Sequence, residues 1–201
     1  MIKQSNMIKA GKEPESKQQG ISLVIVMIFL VILSVLGISA MQGSTLSSRV
    51  ARNEADRNLA FQAAEAALRD GELDARNLKV DITECTSGAP GCRATVIDRA
   101  SGFNDTCTNG LCCSSALAGC GTAATVLPVW SVASRWDDGG GSVVYGSVTG
   151  AISIPVVSRQ PRYLLEYFAK SDAPVYRITA VGFGANDSTQ VMLQSTIRVL
   201  K

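Results

Sequence analysis

From Ile21 to Met41 the chain runs for 21 residues, ISLVIVMIFLVILSVLGISAM, without a charged side chain. A stretch of that length leaves few choices. As a helix it spans about 31 Å at 1.5 Å per residue, the thickness of a bilayer's hydrocarbon core. A cleavable secretory signal needs an apolar core of only about 7–15 residues. The run is therefore read as an anchor. Ile38-Ser39-Ala40 is a weak small-residue cleavage sequence that would instead give a secreted soluble product. Ahead of the anchor, Lys3, Lys9, Lys12 and Lys17 outnumber Glu13 and Glu15. The positive-inside rule then puts the N-terminus in the cytoplasm and the rest of the chain across the membrane.

The helical pattern continues past the anchor. Between Gln42 and Arg76 there is no proline, and RNLAFQAAEAALRDGE consists largely of helix formers. Leu46, Val50, Leu59, Ala63 and Ala66 have spacings compatible with one face. Glu65–Arg69 and Glu72–Arg76 place an acid four residues before a base, the favourable order. A single helix from Ile21 to Arg76 would be about 84 Å long, with Gly37 and Gly43 each costing about 1 kcal/mol relative to alanine. A rod half in lipid and half out suits a subunit that bundles with similar rods.

Charge and composition narrow the function. All of the net charge of +2 sits in the first 20 residues, and the rest of the chain is neutral. A neutral, Gly-, Ser- and Thr-rich body lacks the clustered cations that bind a phosphate backbone, so nucleic acid is excluded as a partner. There is no histidine, which removes the commonest general base, the Ser-His-Asp arrangement and every His-bearing zinc site. The chain is read as a non-enzyme without a cofactor or metal.

Cys85, Cys92, Cys107, Cys112, Cys113 and Cys120 all fall within one short segment. An even count behind a membrane-targeting segment reads as a disulfide framework in an oxidising compartment. The rival is a structural zinc site, disfavoured because the spacing lacks paired C-x2-C knuckles. Six cysteines allow 15 pairings, and discarding a strained vicinal Cys112–Cys113 bridge leaves most of them open.

From residue 80 the composition shifts to Gly, Ser, Thr and Val, with turn signals at SGAPG, WDDGGGS and GFGANDST. PRYLLEYF reads as a short strand opened by Pro161, and VYRITAV places Tyr176, Ile178 and Ala180 on one face. In TQVMLQSTIRV, Val191, Leu193, Ile197 and Val199 alternate with polar residues, as a half-buried strand requires. Gly184 to Ser188 would close a hairpin. Three antiparallel strands need a cover, and the stripe Leu59, Ala63, Ala66 supplies one. The expected fold class is α+β: a long N-terminal helix packed on a C-terminal antiparallel sheet, with a disulfide-stapled loop region. Asp137-Asp138 and Asn186-Asp187-Ser188 lack the alternating oxygens of a calcium loop and read as solvated turns. Trp130 and Trp136 read as core or interface. The Cys85–Cys120 segment reads as a partner-binding surface held by its bridges, or as a stapled excursion.

Taken together, a short basic leader, Gly20, GISLVIVMIFLVILSVLGISAM and NLAFQAAEAALRDGE resemble the N-terminal module of the type IV pilin superfamily, and of its PilX-type minor pilins in particular. RYLLEYF and YRITAVGFGANDSTQVMLQSTIRV resemble the end of the same family. The resemblance implies that prepilin peptidase cuts between Gly20 and Ile21 and methylates the new N-terminus at Ile21. It divides the chain into a leader (1–20), a transmembrane half-helix (21–41), an amphipathic half-helix (42–79) and an extracytoplasmic domain (80–201). Most pilins have phenylalanine at the first mature position, where this chain has Ile21, and many have a shorter leader. Most carry glutamate at the fifth, where this chain has Ile25. In those pilins the glutamate pairs with the N-terminal amine of a subunit already in the filament. A subunit with isoleucine there has no such attachment to make, and first place at the pilus tip follows.

The implied partners are other minor pilins, the major pilin and a tip-associated adhesin, with twitching motility as the phenotype. The implied location is the bacterial inner membrane, then the pilus tip. A tip-type minor pseudopilin of a type II secretion system is the nearest alternative, though it usually has a larger domain. A permanently anchored periplasmic binding module, which would keep residues 1–20, is the alternative from another class.

Overall fold

The proline-free, alanine-rich sequence forms one helix, α1 (Ile21–Ala75). It ends where Asn77 adopts a left-handed backbone, with Arg76 N and Leu78 N both donating to Leu73 O. The computed structural model describes residues 20–98, 100–113, 128–168 and 173–199, with the backbone alone for 41–45. The chain divides into two compact units, Met1–Arg49 and Val50–Lys201.

In the first unit, α1 carries a 20-residue apolar span, Ile21–Ala40, none of which is buried. Its length and composition suffice to cross a membrane. Ser34 Oγ donates to Leu30 O at 2.7 Å, so this hydroxyl is satisfied within its own helix, as hydrocarbon surroundings demand.

The second unit is a helix on a mixed sheet. Its strands are β1 (Leu111–Cys113), β2 (Val143–Val144), β3 (Arg162–Phe168), β4 (Val175–Phe183) and β5 (Gln190–Arg198). The three expected strands form the antiparallel body β3-β4-β5, with Arg162 opposite Val181 and Val175 opposite Arg198. The hairpin joining β4 to β5 closes through Gly184 N to Thr189 O at 2.9 Å. Beyond the expected strands, the short β1 runs parallel to β3 and β2 runs antiparallel to it. Both occupy the other side of β3 from β4, which makes β3 an interior strand.

β3 does not alternate because both of its faces are covered. Tyr163, Leu165 and Tyr167 pack in one apolar cluster with Tyr176, Ile178, Ala180, Ile197 and Ala67 of α1. Leu164 packs in a second cluster with Val181, Phe183, Cys107, Cys112, Val129 and Trp136. Fully buried side chains such as Tyr163, Leu164, Leu165, Ile178 and Phe183 each contribute about 1.5–3 kcal/mol by leaving water.

The face that α1 turns to the sheet includes the expected Ala63 but is otherwise shifted onto smaller residues. Ala60, Ala63, Ala64, Ala67 and Ala75 are buried, whereas Leu59 and Ala66 are half-buried and Leu46 and Val50 are exposed. Close approach selects the small residues. A Cβ on Gly182 of β4 would lie 2.2 Å from both Ala60 O and Ala64 N, so the helix backbone rests directly on the strand. A Cβ on Gly71 would lie 2.6 Å from Ile178 Cγ2. Glu72, four residues before Arg76, also accepts from Ser195 Oγ of β5 at 3.0 Å.

Candidate functional site

Two regions bear on function, and the first is the start of α1. Gly20 lies in a turn and the helix begins at Ile21. Ile21 and Ile25 are four residues apart, so they share a face one turn apart. No acid occupies the first turn, and Ile25 is 49% exposed among other uncharged side chains. The basic leader and Gln18 and Gln19 lie outside the described residues.

The second region is the stapled segment. Cys85 pairs with Cys92 and Cys107 with Cys112, with Cα–Cα distances of 5.6 and 4.1 Å. Cys113 is also disulfide-bonded, and Cys120 lies outside the described residues. As neighbours on β1, Cys112 and Cys113 point to opposite faces: Cys112 joins the cluster around Leu164 and Cys113 the cluster around Leu165. The Cys107–Cys112 bridge is thereby part of the core beneath the sheet.

The Cys85–Cys92 loop delivers its next residue, Arg93, into a buried polar network. Arg93 Nε and Nη2 donate to Asp74 Oδ1 and Oδ2 at 2.7 and 2.6 Å. Arg93 Nη1 donates to Asn109 O at 2.7 Å, and Tyr163 Oη donates to Asp74 Oδ2 at 2.9 Å. Burial, with the nearby Asp74 and Asp70 charges, pushes the Tyr163 hydroxyl well above its usual value. Burial pulls the Arg93 guanidinium down, but its bond to Asp74 more than offsets this and the net shift is upward.

One turn earlier, the buried Asp70 accepts from Gly146 N at 2.8 Å and from Thr149 Oγ1. Its pKa is raised by burial, against the opposing pull of those two bonds. Sequence reasoning missed Asp70, Asp74 and Arg93. The available signal was two acids, four residues apart, in register with the alanines Ala63 and Ala67.

The residues that tempt a cation assignment are engaged elsewhere. Asp138 pairs with Arg162, and Arg159 pairs with both Asp187 and Asp137. Arg159 also lies 4.1 Å over the Phe183 ring. Asn186 donates through its side chain to Asp56 Oδ2 at 3.1 Å, while Ala185 N donates to Asp56 Oδ1 at 2.6 Å. Asp56 thus ties the hairpin loop to α1, and its pKa is lowered chiefly by the Thr189 side chain. Trp136 is buried and donates its indole N–H to Trp130 O at 3.0 Å, which makes it core. Among the described residues no group of three or more His, Cys, Asp or Glu is placed to hold a metal ion.

A cleft of about 690 Å³ opens beside the stapled loop, lined by Arg93, Thr95, Asn104, Asn109, Ser142 and Val143 among others. Arg93, its cation, is held by Asp74.

Comparison with known families gives two matches. A family model described as PilX N-terminal matches residues 19–69, and one described as Type IV pilus assembly protein PilX C-term matches residues 98–199. Neither a curated protein nor a solved structure matches the chain. Asp70, Asp74, the Cys85–Cys92 bridge and Arg93 fall between the two matched segments.

Proposed function

The chain belongs to the PilX family of type IV pilus minor pilins, and from that premise we propose that it helps nucleate the fibre and occupies its tip. The family is one of structural subunits that associate with other pilus components, not of enzymes. The observation that carries the proposal is the acid-free first turn of α1, with Ile25 where a pilin's glutamate would stand.

In the proposed route prepilin peptidase removes residues 1–20 and methylates Ile21. Residues 21–41 hold the subunit in the inner membrane, the remainder of α1 continues the rod to Ala75, and 80–201 form the extracytoplasmic head. A glutamate at mid-bilayer costs about 3 kcal/mol unless it is paired. Its partner in pilins is the amine of a subunit already in place. Ile25 carries no such cost and seeks no such partner, so the subunit needs nothing above it. Its own N-terminal amine remains available to the glutamate of the subunit added below. Ser34, Gly37, Ser39 and Ala40 allow neighbouring rods to approach closely. Other minor pilins, the major pilin and a tip-associated adhesin are the proposed partners.

The test is Ile25→Glu. Membrane insertion should persist, while pilus number falls or the labelled subunit moves from the tip into the shaft. Normal piliation with the variant still at the tip would refute the proposal.

A further inference from the structure

β5 forms an edge of the sheet: it pairs with β4 and with no other strand among the described residues. Its register with β4 is unbroken from Phe183↔Gln190 to Val175↔Arg198, so no bulge turns this edge away from a partner. Its sequence, QVMLQSTIR, has neither the proline nor the lysine that commonly protects such an edge. At nine residues it is long for a strand left open on one side.

Two hydrogen bonds at its ends fix which backbone groups point outward. Gly184 N donates to Thr189 O, and Val199 N donates to Pro174 O. Odd-numbered residues therefore bond inward to β4. By the alternation of an antiparallel ladder, the even-numbered ones direct both N–H and C=O away from it. Gln190, Met192, Gln194 and Thr196 each offer one donor and one acceptor along the open edge. Their side chains are exposed as well. The chemistry that satisfies such a row is an extended polypeptide strand.

The side chains specify which strand fits. It must set apolar residues on the α1 side, where Val191 and Leu193 are half-buried and Ile197 is buried, and polar residues on the other. β5 itself has that alternation. Laid antiparallel about Leu193, a second β5 puts Gln190 opposite Thr196 and Met192 opposite Gln194. Leu193 then faces its own copy, and Val191 faces Ser195. Every outward N–H of the four residues meets a C=O of the other copy, no like charges oppose, and Arg198 falls beyond the paired stretch. We propose that two copies of this chain pair through β5 into a two-fold symmetric dimer with one continuous sheet. This pairing concerns the subunit outside the fibre and does not depend on its place within it.

The experiment is disulfide trapping of the full-length chain in native membranes under mild oxidation. In the proposed register Leu193 forms a non-hydrogen-bonded pair with its own copy, at a Cα separation of about 4.5 Å. That is within disulfide range, about 4.4–6.8 Å. Leu193→Cys should give a species of twice the mass that reductant converts back to monomer. Val191→Cys alone should not, since its copy lies four residues away along the strand, about 13 Å. Co-expressed Val191→Cys and Ser195→Cys chains should cross-link to each other, which keeps the test decisive if Leu193→Cys misfolds. Adding Gln194→Pro, which removes an outward backbone donor and no backbone bond to β4 but also gives up the bond from Gln194 Nε2 to Thr179 Oγ1 of β4, should abolish the cross-link. Gln194→Ala, which loses only that side-chain bond, should keep it. Monomer throughout, or capture of a different protein in place of the second copy, would overturn the proposal. Loss of the dimer would leave the pilus reading intact, because Ile25→Glu tests that separately.

Discussion

Replacing Arg93 with methionine tests what joins the stapled loop to α1. The variant keeps an extended side chain and the Cys85–Cys92 bridge but removes the guanidinium that donates twice to Asp74. Asp74 is 3% exposed, so water cannot replace the lost donors, and Tyr163 Oη remains its partner. Stranding one member of a buried ion pair costs about 3–5 kcal/mol. That is a large part of the about 5–15 kcal/mol that holds most domains folded. With a urea dependence of about 2 kcal/mol per molar, the unfolding midpoint should fall by about 1.5–2.5 M. Intrinsic fluorescence of Trp130 and Trp136 reports the transition.

The double variant Asp74→Leu/Arg93→Met removes both charges and should recover part of the loss. The remaining deficit, about 1–3 kcal/mol, reflects the Tyr163 hydroxyl left without its acceptor and the Asn109 carbonyl left without the Arg93 donor. If Arg93→Met shifts stability by less than about 1 kcal/mol, as an exposed pair would, the reasoning fails. It fails equally if the double variant loses the full sum of the two single changes.

Gly182→Ala should destabilise the head by about 1–3 kcal/mol or more, because the added methyl meets helix backbone at Ala60 and Ala64 rather than a movable side chain; an unchanged urea midpoint would show that the helix does not rest on β4. The Asp70 carboxyl has its pKa raised above 3.8 by burial, so the folded state binds that proton more tightly than the unfolded one. Its contribution to stability is fully present below 3.8 and is lost as pH rises through the raised value. Comparing urea midpoints of the parent and Asp70→Asn should show the parent losing ground across that window and levelling off above it, whereas a pH-independent difference would contradict the assignment.

What the sequence made legible follows the reach of its signals. β4 and β5 were readable because one face of each carries a clear apolar alternation, and the hairpin between them because GANDS is unmistakable turn chemistry. β3 was found through Pro161 and its aromatic, branched composition, not through alternation, since the Trp136 and Cys107–Cys112 layer buries its second face. β1 and β2, at three and two residues, are too short for any periodicity, and long-range pairing to β3 alone defines them. Of the expected helix stripe, Ala63 is buried while Leu59 and Ala66 are half-buried, and spacing alone does not single out Ala60 and Ala64, which the close contact at Gly182 selects. Asp74 and Arg93 carry no local signal, because the two partners of Asp74 (Arg93 and Tyr163) lie 19 and 89 residues away in the chain. The Cys85–Cys92 and Cys107–Cys112 pairings needed the fold to choose among the alternatives.

The most direct measurement is the mass of the N-terminal peptide of the chain isolated from piliated cells. The expected peptide begins at Ile21 and carries one methyl group on its amine. Finding instead the leader intact, with Gly20 still joined to Ile21 in cells that make normal pili, would contradict the claim that this rod is released by cleavage to head a filament.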